Sequence, residues 1–187
     1  FFFNQAILKY IGEYALVSYT IISYVNTIVV MSMAGIAQGT QPLISYYYGK
    51  NESEKYKKLL KYGMVAAAAG SVAAVLICYV GAESIVGLFL KESEASLSVY
   101  SVRVLRIFIL SFLLAGLNVV LGGYFTSVEK AGFATMISLT RSLIALVISL
   151  VFLTAVFGGE AIWWAPLIAE SCCLVLSAGL YLSLIHI

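Results

Sequence analysis

Long uncharged runs alternate with short charged ones along this chain, and that pattern sets the first expectation. Between Glu13 and Lys50 no charged residue occurs. A wholly helical stretch of that length would rise on the order of 50 Å, more than the ~30 Å hydrocarbon core of a bilayer. A break or a tilt is therefore expected. Gly39-Thr40-Gln41-Pro42 is the place for it, because proline removes a backbone donor and clashes one turn back. The pattern predicts a helix over residues 14–48: a span to Gln38, a break near 39–42, and a continuation ending at Tyr46-Tyr47-Tyr48-Gly49.

Residues 50–61 are the most polar part of the chain, with Lys50, Asn51, Glu52, Glu54, Lys55, Lys57, Lys58 and Lys61. They read as a loop leading into the start of an amphipathic helix. Further apolar runs of about twenty residues, the length that crosses a bilayer, predict spans over residues 62–80, 104–125, 137–157 and 163–184. Residues 81–98, with Glu83, Lys91, Glu92 and Glu94, read as a short amphipathic stretch plus a loop. The remaining joints, 127–132 and 158–160, are short and polar. Residues 1–10 read as the tail of an earlier helix.

Composition agrees. Of 187 residues, 62% are hydrophobic and 11% charged, against about 25% charged in a soluble domain. Too few charges exist to cover a globule in water, so lipid must solvate much of the surface. The expected fold class is all-α integral membrane, a polytopic transmembrane helix bundle. A net charge of +2 is too small to suggest a nucleic-acid partner. Orientation depends on where Lys and Arg fall. Lys50, Lys55, Lys57, Lys58, Lys61, Lys130 and Arg141 share one side, which is expected to be cytoplasmic. Lys9, Lys91, Arg103 and Arg106 fall on the other, where Trp163 and Trp164 are expected to anchor a helix at the outer interface. Tyr46–Tyr48 are expected to do the same inside. Both ends read as cuts in a longer chain, and the final residues as a candidate foreign addition: Phe1-Phe2-Phe3 opens without Met inside an apolar run, and Leu184-Ile185-His186-Ile187 has no polar tail.

Charged or amide side chains at membrane depth are costly, so each is a candidate for function. Glu170 is the clearest. It reads either as a protonatable or cation-binding carboxylate, or as one near the interface paired with a basic residue. Arg141 opens the fourth predicted span and reads as a snorkelling or structural contact rather than one to substrate. Asn118, mid-way along the third, is a pathway candidate whose plainer reading is an interhelical hydrogen bond. Asn26, Gln38 and Gln41 lie on the first span, with Gln38 and Gln41 three residues apart on neighbouring helical positions. Exposed backbone at Pro42 would join them in a polar site, as in the broken helices of transporters. Tyr46 is a further pathway candidate, and Gly39 and Pro42 are structural or gating candidates. Gly35-x-x-x-Gly39 and the series Ala66, Gly70, Ala74 match close-approach motifs.

Cys78, Cys172 and Cys173 sit in apolar runs without metal-ligand spacing and read as small core or lipid-facing residues. His186 is given no role. No nucleophile–base pair, phosphate loop or metal cluster emerges, so an enzyme is not expected. Polar residues scattered singly along helices suit a translocation path. A non-transporting scaffold subunit is the alternative from another class.

The segment Gly35-Ile36-Ala37-Gln38-Gly39-Thr40-Gln41-Pro42-Leu43-Ile44-Ser45-Tyr46-Tyr47-Tyr48-Gly49 resembles the MATE family of multidrug and toxin extrusion transporters. The family pattern there runs G-x-x-Q-G-x-Q-P-[LI]-[IL]-S-Y-N-Y-G, and Tyr47 departs from its usual Asn. Leu105-Arg106-Ile107 with Tyr124-Phe125-Thr126-Ser127 resembles the family's tenth helix, and Ser138-Leu139-Thr140-Arg141 the start of its eleventh. Trp164-Ala165-Pro166-Leu167-Ile168-Ala169-Glu170 is similar to the start of the last helix in the MepA-like bacterial branch. The resemblance implies that residues 1–187 are the C-terminal lobe, partial at its start, of a twelve-helix antiporter in the bacterial inner (plasma) membrane. It implies an N-terminal lobe of the same protein as partner, membrane lipids around both, and a small organic cation as substrate. Na⁺ or H⁺ would be the coupling ion, with no other cofactor. A lipid-linked oligosaccharide flippase of the same superfamily is the runner-up, and it would want basic residues lining the cavity. The family's best-defined cation carboxylates lie elsewhere, so the resemblance carries no cation site onto this chain.

Overall fold

The computed structural model describes residues 2–91 and 94–185. Glu92 and His186, named above, lie outside the described residues. The described residues are mostly helical: α1 (Phe2–Tyr10), α2 (Tyr14–Gly49), α3 (Ser53–Val80), α4 (Ala82–Gly87), α5 (Ala95–Phe108), α6 (Phe112–Ser127), α7 (Ala131–Leu139), α8 (Ala145–Phe157) and α9 (Ala165–Ile185). A single 3₁₀ turn (109–111) joins α5 to α6, a π-helical turn (140–144) joins α7 to α8, and a 3₁₀ segment (159–164) leads into α9. Merged across these turns, five helical stretches are long and apolar enough to span a bilayer. Large apolar side chains such as Ile28, Ile77, Val151 and Val175 stand exposed on their outer faces, where lipid solvates them.

The spans are longer than their apolar runs predict. α3 begins at Ser53 because Lys55–Lys61 is itself helical, its lysines exposed and Leu60 buried. The chain reverses before it at Asn51, in the left-handed region at φ 56°, which Asn tolerates.

The predicted break at 39–42 is absent: α2 is a continuous 36-residue α-helix with Pro42 inside it. The bond that proline cannot donate falls on the carbonyl of Gln38, on the exposed side of the helix. Ala37 and Ile44, before and after it, are buried in one cluster with Leu60, Ala67, Val120 and Tyr124. Packing on both sides of Pro42 holds the helical path. At about 54 Å, α2 meets the bilayer by tilting or protruding instead.

α2, α3 and α6 pack pairwise, and α9 lies against α6 and α8. In the α5–α6 span 61% of the apolar window is buried, against 22–33% in the others, so α6 is the central helix. Its glycines make that possible. A Cβ on Gly116 would sit 2.5 Å from Ser71 Oγ and 3.0 Å from Met33 Sδ, so α2 and α3 approach at van der Waals distance only because none is there. Gly35 and Gly39, expected at a close helix contact, have nothing within 4 Å of a built Cβ. Gly116→Leu is expected to cost about 1–3 kcal/mol through overpacking. Denaturant unfolding of the purified full-length protein measures it, and an unchanged midpoint would mean that the seam adapts.

A second cluster gathers Phe3, Ile7, Ile21, Ile22, Phe112, Ile162 and Trp163. Trp163 is fully buried there, while Trp164 is exposed. Only Trp164 is exposed as an interfacial anchor would have to be; Trp163 is core. Successive residues of the 3₁₀ segment point about 120° apart, which sends one ring inward and the next outward. Gly158, in the left-handed region at φ 85°, turns the chain into that segment.

Candidate functional site

Three helical segments converge on one polar cluster. α6 carries Asn118, buried at 1% exposure. α9 carries Glu170, and the π-helical turn carries Arg141. Arg141 Nε donates to Glu170 Oε1 at 2.7 Å. Asn118 Nδ2 donates to Glu170 Oε2 at 2.7 Å and to the Glu170 carbonyl at 2.9 Å. These bonds fix the amide orientation, because only the NH₂ end donates to two acceptors. Asn118 Oδ1 is left buried without a partner among the described residues, at a desolvation cost of about 1–3 kcal/mol.

The ion pair is largely withdrawn from solvent, with side chains 24% (Arg141) and 12% (Glu170) exposed. Charges this enclosed persist only when paired and hydrogen-bonded. Both expectations of a structural kind, a carboxylate matched by a basic residue and an interhelical amide bond, describe this network. The π turn inserts extra backbone where Arg141 leaves the helix, and such turns concentrate at functional sites.

The cluster forms one wall of a cavity of about 530 Å³, within the 300–1,000 Å³ range of small-molecule sites. Asn26 lines it from α2, and Phe3, Phe108, Leu146 and Pro166 supply apolar wall. Gln38, Gln41, Tyr46, Gly39 and Pro42 do not line it. Gln38 is exposed on the far side of α2. Gln41 instead covers Gly123 of α6, where a Cβ would come within 2.8 Å of its Nε2. Tyr46 is exposed and accepts a 2.5 Å hydrogen bond from Lys50 Nζ, whose ammonium also lies 4.3 Å from the ring centroid. Neither Arg103 nor Arg106 reaches the cavity; Arg106 pairs with Glu83 at 3.3 Å instead.

Five lining residues with hydroxyls, Tyr19, Ser111, Thr126, Ser138 and Ser142, are not among the site candidates that the sequence offers. Ser138, Arg141 and Ser142 fall at i, i+3 and i+4, a polar stripe opening an otherwise apolar helix, which was the available signal.

The MatE family model matches residues 1–151, four-fifths of the chain. The chain belongs to the MatE family. It is a multi-pass membrane protein, as the five apolar spans require. Multidrug export protein MepA of Staphylococcus haemolyticus is 26% identical over 173 residues, covering 92% of this chain and 37% of that protein. MepA of Staphylococcus aureus strain COL is 25% identical over 167 residues, covering 89% and 36%. The chain thus spans a little over a third of the length of the curated relatives it matches. Among solved structures it is similar to a multidrug resistance MATE family transporter of the MOP superfamily in outward-facing (TM-score 0.87, 17% identity) and inward-facing (TM-score 0.88, 18% identity) conformations. These comparisons cover 94% and 95% of this chain and 40% and 41% of the other. At such identity they establish the fold, a MATE-type helix bundle, and the one helical unit fits both conformations.

Proposed function

We propose that this chain is the C-terminal transmembrane lobe, residues 1–187, of a secondary antiporter that exports organic cations and drugs in exchange for Na⁺ or H⁺. The observation that carries the reading is Glu170. It is an acidic side chain within a stretch long and apolar enough to span a bilayer, held by Arg141 and Asn118 at the wall of a drug-sized cavity. The likeness to exporters named for multidrug export supports it. An N-terminal lobe of the same protein supplies the opposite wall, and the near-equal fit to both conformations supports movement of this lobe as one body. The protein lies in the bacterial inner membrane with the Lys50–Lys61 turn cytoplasmic, by the excess of lysine there.

Exchange needs a site where the two cargoes exclude each other. A proton or Na⁺ reaching Glu170 competes with the Arg141 guanidinium for the same oxygens. That rearranges the α6–α8–α9 contacts around the cavity and links ion binding to its shape. In an efflux-deficient host expressing the full-length protein, ethidium accumulation is expected to fall. Unchanged accumulation with confirmed membrane insertion would refute multidrug export. Glu170→Gln is expected to reduce export about tenfold or more and to flatten its dependence on pH and Na⁺. Efflux with wild-type dependence on both would remove Glu170 from coupling.

A further inference from the structure

The charges lining the cavity are Glu170 and Arg141, and they are used unequally. Glu170 engages both oxygens, Oε1 with Arg141 Nε and Oε2 with Asn118 Nδ2, each at 2.7 Å. Arg141 donates only through Nε. Its two Nη groups, four of the five N–H donors of a guanidinium, have no protein partner among the described residues and are not sealed in the interior. An organic cation that binds Glu170 directly must displace Arg141 and leave its guanidinium unpaired in a largely buried position, which is costly. The paired Nη edge, in contrast, is a planar fork that matches a carboxylate with two parallel hydrogen bonds.

We infer that Arg141 is an anion-docking point in this cavity, and that the compounds it suits best carry a carboxylate beside their cationic group. The inference rests on the reading that exported compounds pass through this cavity. Charge balance favours a zwitterion over a plain anion. Arg141 and Glu170 together are neutral, so a lone anion adds an uncompensated charge, whereas a zwitterion adds none. The Phe3, Phe108 and Leu146 wall takes an aromatic body, as drug-sized sites commonly do.

The test uses the purified full-length transporter and two forms of one rhodamine dye, the cationic ethyl ester and the free carboxylic acid. Binding is read by fluorescence anisotropy, and export in vesicles. The free acid is expected to bind at least about tenfold tighter than the ester, the gain of a charge-assisted bidentate bond. Arg141→Gln/Glu170→Gln, which removes both charges together, is expected to abolish that preference, and a denaturant midpoint near that of the wild type reports an intact fold. Ester binding equal to or tighter than the acid in the wild type overturns the inference, as does a preference that survives in the double variant. Export of the ester alone overturns it and leaves the export function standing. No binding or export of either dye overturns both.

Discussion

Replacing Arg141 by Gln in the full-length protein is expected to lower its stability by about 3–5 kcal/mol, the cost of breaking an enclosed ion pair from one side. Glu170 is 12% exposed, too little for water to replace the guanidinium. Its remaining side-chain partner would be the Asn118 amide at 2.7 Å, and one neutral donor does not offset an uncompensated charge. The size of the effect belongs to the charge left behind, not to the pair's net contribution. Arg141→Gln/Glu170→Gln should therefore recover most of the loss, because two amides and Asn118 form a neutral hydrogen-bonded set. Denaturant unfolding in detergent of the two single variants and the double closes the cycle. A double variant whose loss equals the sum of the singles would mean that the two side chains are not coupled. A loss below about 1 kcal/mol for Arg141→Gln would place the pair with exposed salt bridges.

The three residues of this cluster were legible one at a time, and their meeting was not. Each stands out because an uncompensated polar group in lipid is costly, which holds whatever the tertiary structure. Which way a helix faces is a different matter. In water, the contrast between apolar and polar faces tells inside from outside. On α2 both faces are apolar, with Val25, Val29 and Met33 buried while Ile28, Met31 and Leu43 are exposed. Nothing in the pattern says that Asn26 turns to the cavity while Gln38 turns away. Gly35 and Gly39 mislead for the same reason, since a small-residue spacing marks a possible contact and does not say which helix provides one. Gly116, whose neighbours come from α2 and α3, belongs to no such motif. The break expected at Pro42 failed because the rule concerns one helix alone, and α2 is held on both sides of Pro42 by its packing on α3 and α6.

Trp163 and Trp164 give the sharpest contrast between the chain as read and the chain as folded, and Trp163→Ala is expected to cost about 3–5 kcal/mol. Adjacent in sequence, the two were equal candidates for an interfacial anchor. Trp163 is fully buried, its ring centroid 5.9 Å from that of Phe3 and 6.3 Å from that of Tyr100. Its Nε1 donates to Tyr100 Oη at 3.0 Å, and Tyr100 Oη donates to Glu160 Oε1 at 3.1 Å. Removing the indole therefore opens a cavity where α1, α5 and the 3₁₀ segment meet, and it leaves the Tyr100 hydroxyl without one of its two hydrogen-bond partners among the described residues. Trp163→Phe separates these effects: most of the volume stays, the donor goes, and about 0.5–1.5 kcal/mol should be lost with it. Trp164, 41% exposed, should tolerate alanine with a change near 0.5 kcal/mol. Melting curves of the three variants in one detergent rank them. Equal losses at Trp163 and Trp164 would mean that both rings act at the membrane surface, and that the cluster around Phe3 holds together without the indole at its centre.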